Sequence, residues 1–297
     1  MAPWRPRSPE APLKLQTRRK FLKNATLTAA SSLGIAGYGF STALDLPGIR
    51  RRSFELGALP AAWDGLKVLQ ISDVHAGPYM STDRMSRLRD LAMRLDPDLI
   101  VFTGDQMDRR ASDAELFARG FQGIQAPLGV WGILGNHDHF INPARSEWAL
   151  EAAGIEPLVN SGVTFDRGGS TLALVGIEDL QARDGREPDF SILSHYPTSF
   201  RLCLCHQPQG WHRAAEAGAH LTLAGHTHGG QIALTGRNLN VARFSTRYIA
   251  GPYRREEAFL YVSRGVGVGA VPVRVGAPPE IDLLTLRSPA VGDRAAA

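Results

Sequence analysis

The feature that most constrains the fold of this chain is a short apolar run that recurs along the sequence and ends each time in polar residues. Each run holds about five apolar residues, which is too short for a helix and typical of a buried strand. Every run then opens into Gly, Asp, Asn or His. The runs are LKVLQISDVH (66–75), DLIVFTGDQ (98–106), VWGILGNHDH (130–139), LALVGIED (172–179), FRLCLCHQP (200–208) and LTLAGHTHGG (221–230).

Segments with helical periodicity lie between these runs. The first is predicted to begin after Ser81 and to end at Asp96-Pro97. Further helices are predicted at 112–120, 143–154 and 211–218, and two more strands at 258–265 and 280–287. Alternating strands and helices indicate an α/β fold. In such folds ligands bind where the carboxyl ends of the strands meet, so we expect the polar strand ends to form the functional site.

The positive charge of the chain is concentrated at its N-terminus. Residues 1–53 carry ten Lys or Arg and two acidic residues, a balance of +8 within a total of +4. The rest of the chain therefore carries −4. Because nucleic-acid-binding proteins carry basic patches on their folded body, this distribution argues against a nucleic-acid partner, and none is expected.

The N-terminal segment is expected to direct export. The sequence TRRKFLK (17–23), with its paired Arg18 and Arg19, resembles a twin-arginine signal, and residues 24–44 contain no charged side chain. We expect residues 1–52 to be this signal and a linker, cleaved near Ser41-Thr42-Ala43 or kept as a membrane anchor. The alternative is a basic, disordered N-terminus. Export would use the twin-arginine machinery and place residues 53–288, the predicted catalytic domain, outside the cytoplasm, with 289–297 as a flexible tail.

The cysteines indicate neither a disulfide nor a metal site. Cys203 and Cys205 are the only two in the chain and stand at i and i+2. On a strand, such residues share a face but lie too far apart to bridge. Two cysteines are also too few for a thiolate zinc site. Both are therefore predicted to be buried strand residues.

Seven side chains at the polar strand ends could bind metal. Their carboxylate, amide and imidazole groups, without sulfur, suit Mn²⁺, Fe or Zn²⁺. One ion needs about four to six ligands, so seven fit two ions that share a carboxylate, as in two-metal phosphate sites. The candidates are Asp73, His75, Asp105, Asn136, His206, His226 and His228.

The separate motifs differ in how specific they are. Asp73-x-His75 alone is most often a surface or capping pair, and Gly104-Asp105 alone is usually a turn. Gly-Asn-His-Asp (135–138) is more specific, because a turn needs no histidine. All of the motifs together, in order and each after an apolar strand, favour a catalytic site over a structural explanation.

This ordered set resembles the calcineurin-like metallophosphoesterase superfamily over roughly residues 66–286. The resemblance implies a four-layer α/β/β/α sandwich of two mixed β-sheets flanked by helices. It implies a dinuclear metal site at the C-terminal strand ends. Asp105 would bridge the two ions. Asp73, His75 and His228 would bind the first ion, and Asn136, His206 and His226 the second.

The resemblance also implies the catalytic roles. A metal-bridging hydroxide would attack phosphorus, and His137 would act as general acid on the leaving oxygen. Asp138 would orient His137. The elementary chemistry agrees, since two cations lower the pKa of a shared water and neutralise charge on the phosphoryl oxygens.

Some assignments have competitors in the sequence. LSHYP (193–197) resembles the family's histidine element as much as LCHQP (204–208) does. We choose His206 because it follows the cleaner strand, and we interpret His195 as a loop residue. His139 is a candidate for substrate contact, with a surface position as the alternative. Arg264 and Arg274 are candidates for binding a second phosphate, with structural roles as the alternative.

The predicted activity is hydrolysis of a phosphodiester or pyrophosphate bond. YVSRGVG (261–267) and PVRVGAPPEI (272–281) resemble a bacterial subgroup of exported or membrane-associated phosphoesterases, so the substrate could be linked to a lipid or a nucleotide. One alternative is a lipid-linked pyrophosphohydrolase of the UDP-2,3-diacylglucosamine type. An alternative from another class is a metal-binding protein-interaction scaffold. The presence of His137 argues against the scaffold.

Overall fold

Two six-stranded sheets form the centre of the molecule. The structure is a computed structural model that describes residues 34, 37–196, 198, 200–233, 240–269 and 271–289. The first sheet has the strand order β1-β12-β2-β3-β4-β5, and the second has the order β10-β11-β9-β8-β7-β6. The strands are β1 Gly48–Glu55, β2 Leu66–Ile71, β3 Leu99–Thr103, β4 Val130–Ile133, β5 Glu156–Pro157, β6 Ser161–Arg167, β7 Ser170–Gly176, β8 Phe200–Leu204, β9 Leu221–Ala224, β10 Gly251–Arg255, β11 Ala258–Val262 and β12 Glu280–Arg287.

Both sheets are mixed. In the first, β2 to β5 run parallel, while β12 pairs with β2 in the antiparallel sense. In the second, β7, β8, β9 and β11 run parallel, and the edge strands β6 and β10 are antiparallel to their neighbours. The carboxyl ends of β2, β3 and β4 therefore point the same way, as do those of β8 and β9.

Five α-helices connect the strands. They are α1 Thr82–Arg94, α2 Asp113–Phe121, α3 Asn136–Ile141, α4 Pro143–Ala153 and α5 Trp211–Glu216, and residues 37–44 are also helical. Ser81 caps α1, since its side chain accepts a hydrogen bond from the Arg84 N–H. Pro143 begins α4 and Gly154 ends it in the left-handed conformation. In the part of the chain that the structure describes, no helix is both long and apolar enough to cross a bilayer.

The apolar core confirms the four-layer sandwich. Val68, Val101 and Ile133 of the first sheet pack in one cluster with Leu174 and Leu202 of the second. The opposite face of the first sheet packs against α1, α2 and α4. The opposite face of the second sheet packs against α5 and the 3-10 turn Phe190–His195. Because both faces of each central strand are buried, its sequence is a continuous apolar run.

The folded body begins earlier in the chain than predicted. The expected boundary at residue 53 falls inside β1, which pairs in parallel with β12 from Gly48 onward. β1 was not predicted because it is not an apolar run. It is a mostly exposed edge strand that carries three arginines, Arg50 to Arg52. Thr42 and Ala43, at the expected cleavage point, are buried within a helix.

The structure describes both cysteines but not the two ends of the chain. Arg18, Arg19 and most of the uncharged segment lie outside the described residues, as does the tail from residue 290 onward. Cys203 and Cys205 are both buried and unbonded, which confirms the prediction. Burial raises the pKa of the Cys205 thiol to about 12, so this thiol is protonated at neutral pH.

Candidate metal centre

The loops that follow β2, β3, β4, β8 and β9 bring all seven predicted ligands together. Asp105 lies at the centre of this group. Its Oδ2 atom is 3.5 Å from His75 Nε2 and 3.4 Å from His206 Nε2. Its Oδ1 atom accepts a hydrogen bond of 2.9 Å from the His137 N–H. One carboxylate thus faces imidazoles from both sheets, as a bridging ligand must.

One set of donors lies on the His75 side of Asp105. Ligand atoms of Asp73, His75, Asp105 and His228 all lie within 4.8 Å of one another. The Nε2 atoms of His75 and His228 are 3.0 Å apart, and His228 Nε2 is 3.5 Å from Asp73 Oδ1. These residues were predicted to hold the first ion.

A second set of donors lies on the other side. Ligand atoms of Asp105, His206 and His226 also lie within 4.8 Å of one another. The Asn136 Oδ1 atom is 2.8 Å from His226 Nδ1 and 3.2 Å from His206 Nε2. Asn136 is therefore placed with the predicted ligands of the second ion.

The backbone of the ligands is strained. Asp73, His75, Asp105, His226 and His228 all have positive φ angles, between 49° and 70°. Such angles are uncommon outside glycine and unfavourable for these side chains. Among the described residues ten non-glycine positions have them, so half of these positions belong to this cluster. Strain concentrated in this way is typical of functional sites.

Glycines allow the loops to approach each other. Gly104 has a φ angle of +98°, and a Cβ atom there would overlap the His206 ring. Gly225 lies so close to Ser72 and Asp73 that any side chain would displace the Asp73 carboxylate. Both positions therefore need glycine for space, and Gly104 needs it for its conformation as well.

Burial keeps most of the imidazoles neutral, which is the form that binds metal. It lowers the pKa of His75 to about 3 and that of His226 to about 4, and it holds the pKa of His228 well below its ordinary value. Burial alone would raise the pKa of Asp105. The neighbouring imidazoles, of which His206 contributes most, together outweigh burial and hold that pKa well below its ordinary range, so the central carboxylate is ionised.

Hydrogen bonds behind the ligands fix their orientation. His206 Nδ1 lies 2.7 Å from the carbonyl oxygen of Thr103, which can only accept, so this nitrogen carries a proton and Nε2 is the atom turned towards Asp105. The Asp73 carboxylate accepts hydrogen bonds from the Ser72 hydroxyl and from the His226 N–H. Loops of the two sheets are thereby tied together at the site.

The donor set fits two divalent cations. Two nitrogens that each lie about 2.0–2.1 Å from one ion are separated by about 3 Å, and the His75 and His228 Nε2 atoms are 3.0 Å apart. Both rings are neutral, and the carboxylates of Asp73 and Asp105 lie beside them. Oxygen and imidazole donors without sulfur suit Mn²⁺, Fe or Zn²⁺.

His137 lies beside the cluster with a different partner from the one predicted. Its Nδ1 atom is 3.0 Å from the carbonyl oxygen of Asp108, and its ring meets the His75 ring edge to face at 4.6 Å. Asp138, which was expected to orient it, instead accepts hydrogen bonds from the Gln106, Met107 and Gly135 N–H groups and from the Ser146 hydroxyl. The expectation is corrected: Asp138 fixes the loop after β3, and the Asp108 carbonyl orients His137.

Two of the three predicted substrate contacts are occupied within the protein. Arg274 has no exposed surface, and its guanidinium donates to the carbonyl oxygens of Gly267 and Ala277. Its Nη2 atom is 3.1 Å from His228 Nδ1, so it contacts a predicted ligand from inside the protein and does not face substrate. The His139 ring is 7% exposed and lies 2.7 Å from Glu178 Oε1, which corrects both the substrate and the surface alternatives.

Arg264 is the third predicted substrate contact, and His195 is the alternative to His206. Arg264 pairs with Glu280 at 2.6 Å, and its partly exposed side chain lines a cavity of about 370 Å³. Its role toward substrate stays a prediction. His195 is exposed at the end of a 3-10 turn, whereas His206 is fully buried in the cluster. The choice of His206 over His195 therefore agrees with the geometry.

Sequence reasoning missed several buried polar groups around the cluster. Asp108, Asp179 and Gln207 are all nearly buried, and the Gln207 amide donates to the Asp179 carboxylate at 3.0 Å. Asp108 Oδ1 and His75 Nδ1 lack a hydrogen-bond partner and lie 3.9 Å apart. A signal was available in the sequence, since each of the three follows a predicted ligand motif or an apolar run within three residues.

The fold and the donor set together define the class of the protein as a metal-dependent hydrolase built on an α/β/β/α sandwich. The sequence model described as "Calcineurin-like phosphoesterase" matches residues 66–230, more than half of the chain. The chain belongs to the calcineurin-like phosphoesterase family. It is therefore a metallophosphoesterase, a hydrolase that acts on phosphoester bonds with divalent metal ions.

Similar proteins extend the match to nearly the whole chain. The Bacillus subtilis (strain 168) protein described as "Uncharacterized metallophosphoesterase YkuE" is 30% identical over 93% of this chain and 99% of its own length. The protein "Phosphodiesterase YaeI" of Escherichia coli (strain K12) is 30% identical over 91% of this chain and 99% of its own length. Among solved structures, the Haemophilus influenzae NAD nucleotidase (NadN) aligns with a TM-score of 0.43 and 14% identity, over 67% of this chain and 50% of that one.

Proposed function

We propose that this protein hydrolyses a phosphodiester or pyrophosphate bond at a centre of two divalent metal ions. One observation carries the proposal: seven donor side chains converge from five loops, and the imidazole of His137, which is not one of the seven, lies beside them. The name of the relative "Phosphodiesterase YaeI" supports a diester substrate. The ligand chemistry supports Mn²⁺, Fe or Zn²⁺ as the ions.

The metal ions and the residues around them have separate roles in the proposed reaction. When bound, the two cations supply Lewis-acid chemistry, which activates water and neutralises charge on the phosphoryl oxygens. The carboxylates of Asp73 and Asp105, the amide oxygen of Asn136 and the four imidazoles would hold the cations. Asp105, which faces both donor sets, fixes the spacing between them.

His137 is the proposed proton donor. The Asp108 carbonyl oxygen can only accept a hydrogen bond, so it fixes the proton of His137 Nδ1. As an imidazolium, the ring then donates from Nε2 to the oxygen that leaves phosphorus. The His137 backbone N–H binds Asp105 Oδ1, so the same short helix, α3, positions the acid against the metal cluster.

The experiment that tests this function uses purified full-length protein and bis-p-nitrophenyl phosphate with added Mn²⁺. Release of p-nitrophenolate that stops with chelator and returns with Mn²⁺ is the expected result. The monoester p-nitrophenyl phosphate, measured alongside, should react more slowly. Stable binding of two ions per chain without release from either substrate would contradict the proposal and favour a metal-binding scaffold.

We further propose that the protein is exported by the twin-arginine route and acts outside the cytoplasm, at or near the membrane. The support is the sequence of residues 17–44. Substitution of Arg18 and Arg19 by lysine should retain the protein in the cytoplasm, measured by fractionation of cells of a bacterium with that pathway. Unchanged export of the lysine variant would contradict the proposal.

A further inference from the structure

An apolar groove opens directly beside the metal cluster. Two of the proposed ligands, His226 and His228, form part of its wall, and its volume is about 360 Å³. This volume lies within the range of small-molecule sites. Whatever is bound at the metal cluster therefore has this groove as its neighbour.

The rest of the groove is lined mainly by aliphatic side chains, some of which are unusually exposed. Ile232 is 39% exposed and Val271 is 55% exposed, and Ala242 and Val273 complete the aliphatic wall. Exposed apolar surface beside a functional site costs free energy and is typical of a surface that binds an apolar ligand.

The polar side chains of the groove are engaged with the backbone. The Thr227 hydroxyl donates to the Ile249 carbonyl oxygen at 2.5 Å, and the Ser245 hydroxyl donates to the Ala242 carbonyl oxygen at 3.0 Å. The Gln231 amide donates to the Val271 carbonyl oxygen at 3.2 Å. Apart from the two histidines, the described lining includes no aromatic ring on which a base could stack. The wall therefore suits a flexible hydrocarbon better than a nucleoside.

We infer that this groove holds an alkyl chain of the substrate, so that the natural substrate is a phosphoester of the lipid type. The inference rests on the proposed function and names the substrate class for that site. The phosphorus lies at the metal cluster, and the chain extends past His226 and His228 along the aliphatic wall. Removal of the chain from water supplies binding free energy that a small soluble ester lacks.

The test compares three p-nitrophenyl diesters of phosphate that differ only in the second alcohol: methanol, octanol or the 5′-hydroxyl of thymidine. Each hydrolysis consumes one water and releases p-nitrophenolate with the remaining monoester, so the reaction at phosphorus is the same. We expect the octyl ester to have a KM at least about 10-fold below that of the methyl ester. This ratio corresponds to about 1.4 kcal/mol, the contribution of roughly two buried methylenes.

Substitutions locate the effect. In the double variant Ile232→Gln, Val271→Gln, the ratio of the methyl-ester KM to the octyl-ester KM should fall towards one, and both positions are exposed enough to accept glutamine. Trp148→Gln is the matched control, since Trp148 on α4 is also 39% exposed but does not line the groove. Calorimetry with octylphosphonate and methylphosphonate adds a readout without turnover, in which the octyl compound should bind more tightly and with a more negative heat-capacity change.

The outcomes separate this inference from the proposed function. Hydrolysis of the methyl and octyl esters with equal KM, or a preference for the thymidine ester, would overturn the alkyl groove and leave the phosphodiesterase intact. An octyl preference that survives the double variant would also overturn it, because the chain would then bind elsewhere. Release from none of the esters, with metal bound, would overturn both.

Discussion

The two sheets supply chemically different halves of the metal centre. The strand ends of the first sheet carry the oxygen donors Asp73, Asp105 and Asn136 together with His75. The strand ends of the second sheet carry only imidazoles, those of His206, His226 and His228. The carboxylates thus come from one sheet and three of the four imidazoles from the other. Neither sheet alone supplies either donor set.

Hydrogen bonds join these two halves and fix their positions relative to each other. The Asp73 carboxylate of the first sheet accepts the His226 N–H of the second at 2.9 Å. His206 of the second sheet donates to the Thr103 carbonyl oxygen of the first at 2.7 Å. Each half orients a proposed ligand of the other, so the site is a product of sheet packing. Four substitutions test this dependence, from the largest expected effect to the smallest.

Replacement of Asp105 by asparagine should have the largest effect, because its carboxylate faces ligands of both halves. The variant should lose bound metal and more than about 10³-fold of its turnover, since metal ions contribute several kcal/mol of transition-state stabilisation. Element analysis and p-nitrophenolate release measure the two losses. Asp166→Asn, on the exposed part of β6, is the control. Normal metal content and rate in Asp105→Asn would show that the halves do not share this ligand.

Replacement of His137 by alanine should reduce turnover without loss of metal. A general acid typically contributes about 10²- to 10⁴-fold, so kcat should fall within that range. The loss should be smaller for a substrate whose leaving group needs no proton, such as p-nitrophenolate, than for an alkyl leaving group. His195→Ala, at an exposed position, should be unaffected. Metal loss in His137→Ala would instead make this imidazole a ligand.

Replacement of Gly104 by alanine tests the contact between the halves directly. A Cβ atom at this position would overlap the His206 ring, and the φ angle of +98° disfavours any side chain. We expect a lower melting temperature and a metal affinity reduced by about 10- to 100-fold, as when groups that orient ligands are removed.

Gly123→Ala is the matched control for this experiment. Its φ angle of +82° carries a similar conformational cost, but nothing lies within 4 Å of the added atom. Its melting temperature should therefore fall while its metal affinity stays normal. Equal metal affinities of the two variants would show that the Gly104 contact does not position His206.

Replacement of Asp282 by asparagine should have the smallest effect, which depends on pH. Asp282 on β12 accepts hydrogen bonds of 2.6 Å from the Tyr261 and Ser263 hydroxyls, and so links the first sheet to the second away from the metal ligands. Burial, reinforced by Glu280, raises its pKa from 3.8 to about 7. The folded state therefore holds this proton more tightly than the unfolded state.

The direction in which the free energy of unfolding changes with pH follows from this difference in proton affinity. The stabilisation from protonated Asp282 is complete below about pH 4, where both states are protonated. It is lost as the pH rises towards 7. In Asp282→Asn, which stays neutral, the free energy of unfolding should fall less between pH 4 and pH 7 than in the unchanged protein. Urea titrations across this range measure the difference, and parallel pH profiles would contradict the assignment.

The central strands could be predicted from sequence, whereas the edge strands could not. β2, β3, β8 and β9 are buried on both faces and therefore appear as apolar runs. β1, β6 and β10 are largely polar edge strands, whose pairing depends on a neighbour far away in the chain. The helices were predictable where caps and periodicity coincide, as at Ser81 and Gly154.

The proposed ligands could be predicted because few residue types at a strand end can bind a metal ion. The order of the motifs in the family then indicates which ion each residue would bind. The groups around them were harder to predict. Arg274 and His139 were predicted to contact substrate, but the packing turns Arg274 towards backbone carbonyls and His139 towards Glu178. Asp138 was assigned to its neighbour in sequence, yet its partners lie on the loop after β3.

The sequence by itself determined the layered α/β fold, the seven candidate ligands and the proposed general acid, because burial and coordination chemistry leave a local signature in residue type and spacing. Only the tertiary structure decided which of these groups face each other, which arginine contacts a proposed ligand, and that an aliphatic groove lies beside the cluster. The physical reason is that such contacts join residues far apart in the chain, and their distances are set by how the two sheets pack.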